Sequence, residues 1–189
     1  MPTQSPTTTD AATATAAATD PPRTTTLPTS TPPTTAPPTT LDPAALEQQI
    51  RADFERTWAG YNECVYEPTS CQFASVNVPG GALDNALRQT VDELVINNLR
   101  AGRGSGPIGH RVEEVVVVSS TESDLWVCLT DGAVLFDIQD PSNPDDDIVM
   151  NDAVNSYRNL YRMHLVGGRW LRDSGEQIQV FAGVSECGG

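Results

Sequence analysis

The chain contains no lysine: all 11 basic residues are arginines, set against 25 Asp and Glu, for a net charge of −14 over 189 residues. Without lysine there is no Schiff-base amine and no phosphate-loop lysine. Beyond residue 40, ten arginines face 23 carboxylates, a net −13. Such a surface repels phosphate backbones, and no stretch gathers arginines into a nucleic-acid footprint. Anionic membrane surfaces are disfavoured for the same reason. Long apolar runs are also missing. None approaches the ~20 residues that span a bilayer, and Met1-Pro2-Thr3-Gln4 opens a polar segment with no charged n-region and apolar core behind it. Histidine occurs twice, at His110 and His164, each far in sequence from any cysteine pair, and there is no Cys-x2-Cys spacing. Those absences argue against a zinc centre, and no cofactor motif is present.

What the first 40 residues do contain is 16 Thr, 9 Pro and 7 Ala. Proline disfavours helix and nothing apolar is available to bury, so residues 1–40 read as a disordered stalk or linker. Residues 41–189 are the length of one ordinary domain. The four cysteines, Cys64, Cys71, Cys128 and Cys187, are even in number and follow a stalk, which points to an extracytoplasmic protein, secreted or tethered at a cell surface. A signal peptide or membrane anchor is then expected upstream of residue 1. Four cysteines allow three pairings. Cys64-x6-Cys71 fits a local clip from a helix end to the following loop, and Cys128 with Cys187 would staple a mid-sheet strand to the C-terminus. By the chain-entropy argument these contribute about 2.5 and about 4 kcal/mol.

Asp42-Pro43 is a helix start, an acceptor followed by proline at the first helical position. Leu46, Ile50, Phe54, Trp58, Tyr61 and Val65 then recur every three or four residues, predicting an amphipathic helix over about 43–64. A second helix opens at Gly80-Gly81, with a stripe from Leu83 to Leu99 and Gly102 as its C-cap. Residues 102–109, glycine-rich, read as a flexible connector. From His110 the period becomes two. Strands are expected over 112–119, 125–129, 133–138, about 148–166 and 169 to about 181. Asp131-Gly132 and Gly167-Gly168 are the expected hairpin turns, with an interruption near Ser174-Gly175. Two helices followed by an antiparallel meander predict an α+β fold, the N-terminal helices packed on one face of a single sheet.

This order, with the Trp/Tyr stripe on the first helix, resembles the nuclear transport factor 2-like family. The ending Tyr161-Arg162-Met163-His164-Leu165-Val166-Gly167-Gly168-Arg169-Trp170 is similar to that family's long strand, glycine turn and tryptophan. The segment from Val127 to Gly132, together with Cys187, also resembles a group of actinobacterial extracytoplasmic proteins. The resemblance implies a curved sheet forming a cone whose mouth can hold a small apolar ligand. Some members, the ketosteroid isomerases and polyketide cyclases, move protons there with an Asp or His and a Tyr; others only bind, or have filled the cone. A shared fold does not carry over an activity.

Trp58, Tyr61, Tyr157 and Tyr161 are the candidate cavity residues, although filling the core is the plainer use of such rings. Tyr157 and Tyr161 share a strand face with Met163 and Leu165, while His164 falls on the other face. His110 would need a carboxylate nearby to act as a base. Gly183-Val184-Ser185-Glu186-Cys187 is a near miss to a nucleophile elbow, with no Asp or His downstream. Asp145-Asp146-Asp147, with Asp140 and Asn143, lacks the spacing of a calcium loop and reads as a solvated acidic turn. No catalytic residue and no metal site is assigned. The expectation is a binding module for a small apolar ligand or an envelope protein. An isomerase- or cyclase-like enzyme, or a structural spacer with a filled cone, are the alternatives.

Overall fold

The computed structural model describes residues 42–103 and 106–183. The stalk over 1–40, Cys187 and the Gly183–Cys187 near miss beyond Gly183 lie outside the described residues.

Helix α1, Pro43–Tyr66, starts as its sequence dictates: the Asp42 side chain accepts the Ala44 N–H at 3.2 Å, with proline in the first turn. Its stripe buries Ile50 and Phe54 completely. Asp53 and Thr57 are buried on the same helix, the hydroxyl of Thr57 donating to the Phe54 carbonyl. Cys64, in the last turn, forms a disulfide with Cys71 just past a short 3-10 turn, Pro68–Ser70. That is the local clip expected from the spacing.

Helix α2, Ala82–Ile96, buries Leu87, Val91 and Leu94. It ends earlier than the stripe suggests, because Asn98 adopts φ 55°, in the left-handed region. Leu99 and Gly102, expected in the helix and at its cap, belong instead to strand β1, Leu99–Arg103. The glycine there serves close approach: a Cβ on Gly102 would lie 2.7 Å from the Phe136 ring, which packs across it. Gly102, Arg103 and Gly109, at the two ends of the expected connector, are therefore strand residues.

Six further strands follow: β2 Gly109–Val117, β3 Glu122–Asp131, β4 Ala133–Asp137, β5 Ile148–Asn151, β6 Asn155–Val166 and β7 Arg169–Ala182. All sheet pairings are antiparallel, as expected, but the hydrogen bonds divide the strands into two sheets where one was expected. The larger has the order β2-β3-β6-β7 and the smaller β1-β4-β5. Asp131-Gly132 is consequently a crossing point and not a hairpin turn. Gly132 has no positive φ; its backbone passes so close to Gly106 and Pro107 that a Cβ would sit under 3.0 Å from both. The expected strand over 148–166 is likewise two strands, β5 in the small sheet and β6 in the large one. Gly167-Gly168 does turn β6 into β7, both residues at positive φ. The interruption expected near Ser174 is a bulge: Arg162 faces Ser174 and Met163 faces Arg172, leaving Asp173 over. Bulges bend and twist a strand, and a second one leaves Ile178 over between Gln177 and Gln179.

The fold is α+β, two helices packed on antiparallel sheets. One core cluster, with Ile50, Phe54, Leu125, Val127, Met163 and Trp170, lies between α1 and the large sheet. The other joins Cys64, Val76, Leu87, Val91 and Leu94 beneath α2, with Leu99 and Leu135 of the small sheet against it.

Candidate functional site: the cavity between the helices and the large sheet

The loop into α2 is fastened to β7 at one residue. Val78 N–H donates to the Arg172 carbonyl at 2.8 Å, and Asn77 forms a parallel bridge with Arg172 while its amide donates to the Leu83 carbonyl at 3.1 Å. Between α2 and the large sheet lies a cavity of about 320 Å³. The α1 residues Trp58 and Tyr61 line it, as do Tyr157, Asn159 and Tyr161 of β6, and Arg172 of β7. All four aromatic residues singled out from sequence thus meet at one cavity, brought from positions about a hundred residues apart.

They serve the core as well. Tyr161 is buried in the first cluster, with Trp58 and Tyr157 packed against it. Trp58 stacks on Tyr61 at 5.4 Å between ring centroids, and Phe54 stacks on Trp58 in turn at 6.5 Å, a ladder set by the helical spacing. The rings thus pack in the core and also line the cavity.

Sequence reasoning missed the polar half of the lining. Arg172 is 3 % exposed, and its guanidinium carbon stands 5.2 Å from the Tyr61 ring centre and 5.8 Å from that of Tyr161. Among the described residues no carboxylate pairs with it, and its Nε–H is buried without an acceptor. Burial lowers its pKa from the ordinary value, opposed by the two tyrosines. Tyr61 and Tyr161 shift the other way: burial raises both phenol pKa values, and Arg172 partly offsets this. The Asn159 amide donates to the Tyr161 hydroxyl at 3.0 Å, leaving its own Oδ1 buried and unpartnered, as is Oδ1 of Asn77. A signal for Arg172 did exist. Period two from Trp170 puts it on the inward face of β7.

Of the further hollows among the described residues, two bear on residues considered above. A groove of about 500 Å³ runs between the ends of both helices and the acidic loop, and its arginine, Arg100, is paired with Asp147 at 2.7 Å. Within that loop Asp140 accepts from Ser142, which lowers its pKa, and Asn143 donates to Asp146. The other hollow, about 720 Å³, lies on the far side of Trp58 and contains His110. There the structure supplies the partner that sequence could not: His110 Nε2 is 2.8 Å from a Glu55 carboxylate oxygen, with the imidazole edge-on to Phe54. His164, on the other face of β6, stands 3.6 Å from Glu122.

No protein-family model matches this sequence, and no curated protein matches it. Solved structures do resemble it. The intermembrane-space region of the chloroplast protein ARC6 superposes with a TM-score of 0.51 and 14 % identity, covering 73 % of this chain and 97 % of that one. A ketosteroid isomerase-like protein from Erwinia carotovora atroseptica gives a TM-score of 0.42 at 13 % identity, covering 70 % and 95 %. The likeness is one of fold. At such identity it assigns no activity, and the second overlap is too loose to carry an argument.

Proposed function

We propose that residues 41–189 form an extracytoplasmic binding module, carried on the Thr/Pro stalk of residues 1–40, whose cavity takes a small molecule with an apolar body. One observation carries this reading: Trp58, Tyr61, Tyr157 and Tyr161, from a helix and a strand far apart in sequence, face a single cavity of about 320 Å³. That volume is at the lower end for small-molecule sites, where apolar walls and a few placed polar groups are the usual lining. The Cys64–Cys71 disulfide supports an oxidising compartment.

Ligand-observed NMR with a small library of aromatic and aliphatic compounds tests the reading. Binders to the wild-type domain should be lost in Thr90→Trp, which places an indole across the cavity from an exposed position on α2. Compounds that bind T90W equally well would place their site elsewhere. A second reading, acid/base catalysis, has one observation in its favour. Asp131 lies on the same lining and its charge helps keep the Tyr61 phenol protonated. Turnover of a bound compound that disappears in Asp131→Asn would establish it over simple binding.

A further inference from the structure

We infer that the cavity ligand is a small carboxylic acid, its carboxylate held by Arg172 and its apolar body by the aromatic rings. This deepens the binding reading above and rests on it.

Four observations on the cavity converge. Arg172 is almost wholly buried on its wall, and among the described residues no carboxylate pairs with it. What faces the guanidinium is two tyrosine rings, at 5.2 and 5.8 Å, whose π-faces attract a cation but accept no strong hydrogen bond. Its Nε–H is buried and unused. Buried polar groups are otherwise almost always satisfied, and a guanidinium fork matches a carboxylate in a bidentate pair. The other described arginines that lie over an aromatic ring are more exposed, and each has a carboxylate partner: Arg88 holds Asp84, Arg100 holds Asp147 and Arg158 holds Glu113.

The remaining polar groups on the lining are compatible with an acid that has an apolar body. Tyr61 and Tyr161 hydroxyls stay protonated through burial and so donate to an anion. Asn77 and Asn159, on the same lining, each carry a carbonyl oxygen buried without a donor. Asp131 is exposed at the rim and is absent from the groups acting on Arg172, so it does not neutralise the site in advance. Size limits the body: about 320 Å³ holds roughly ten waters at ~30 Å³ each, so a single ring or a short chain fits.

The test compares 3-phenylpropanoate, its amide and 3-phenylpropylamine on the full domain, by calorimetry and by the Arg172 Nε–H NMR signal. The proposal expects the acid to bind about tenfold or more tighter than the amide, the amine not at all, and the Arg172 signal to shift downfield with the acid alone. In Arg172→Met the acid's advantage should vanish while the amide still binds. Equal affinity for acid and amide in the wild type overturns this inference and leaves the binding reading standing. No binding by any of the three overturns both. Should R172M not fold, the wild-type NMR titration decides, since an Arg172 signal unmoved by a bound acid also refutes the assignment.

Discussion

Asp53 is a carboxylate on the apolar stripe of α1, yet it is 2 % exposed and accepts the buried N–H of Trp170 at 3.1 Å while pairing with Arg56. It joins helix to sheet at the second residue of β7. Asp53→Ala leaves that N–H buried without an acceptor and should cost about 1–3 kcal/mol in urea unfolding. Asp53→Asn keeps an acceptor and loses only a pairing with an exposed arginine, so it should cost clearly less, about 1 kcal/mol or under. Equal costs for the two variants would show that the ion pair, not the N–H, is what matters. Tyr61 and Tyr161 give a second check at this scale. Their folded phenol pKa values lie above the ordinary tyrosine value of about 10. The resulting stability is fully present below that value and is lost as pH rises through the raised folded values. Near-ultraviolet titration should show Tyr61 and Tyr161 ionising late, together with Tyr66, which burial also raises, and unfolding midpoints should fall over the same alkaline range. Phenols that ionise together with free tyrosine would mean the cavity is open to water.

At the scale of elements, periodicity revealed what local sequence controls and concealed what packing controls. The start of α1, its stripe, the Gly167-Gly168 turn and the inward face of β6 were all readable, because each depends on spacing or on a capping residue. The end of α2 was not: Leu99 continues the apolar stripe, but its burial is against the small sheet, and Asn98 has already ended the helix. Gly102 and Gly132 were read by turn chemistry, although each is glycine because another group passes close by. The pairing of β3 with β6 and the split into two sheets depend on which strand edges meet, and no local pattern encodes that. The same division holds at the cavity. The aromatic residues were legible as a stripe, whereas Arg172 matters because of an absent partner, a fact that exists only in three dimensions. Gly102→Ala tests the close-approach account. A Cβ there meets the Phe136 ring at 2.7 Å, so the variant should lose about 1–3 kcal/mol, and Phe136→Leu in the same chain should recover part of it. If G102A were neutral or stabilising, the position would be no more than an ordinary strand site.

For the whole molecule, the sulfur bridges and the compartment are one question. Cys64–Cys71 bridges a sequence separation of seven at the junction of α1 and the second core cluster, where Cys64 is fully buried. Cys128 lies on β3, buried, and no described cysteine carries a free thiol; its expected partner Cys187 lies outside the described residues. We expect the pair Cys128–Cys187 to fasten the C-terminal end of the chain to the middle of the large sheet. Peptide mapping of unreduced protein should then find two bridges, with Cys64 and Cys71 in one fragment and Cys128 and Cys187 in another. The energetic consequences differ in kind. Replacing Cys64 and Cys71 by serine removes a short loop, about 2.5 kcal/mol, and puts a hydroxyl into a core position, so the loss should exceed the loop value. Replacing Cys187 by serine, in a chain whose Cys128 is also alanine, removes a loop of nearly sixty residues and should cost about 4 kcal/mol, provided the reduced state holds no residual structure. A domain that is natively purified with all four thiols free, and as stable reduced as oxidised, would remove the sulfur argument for an extracytoplasmic home. The cavity would then have to be explained in a reducing compartment.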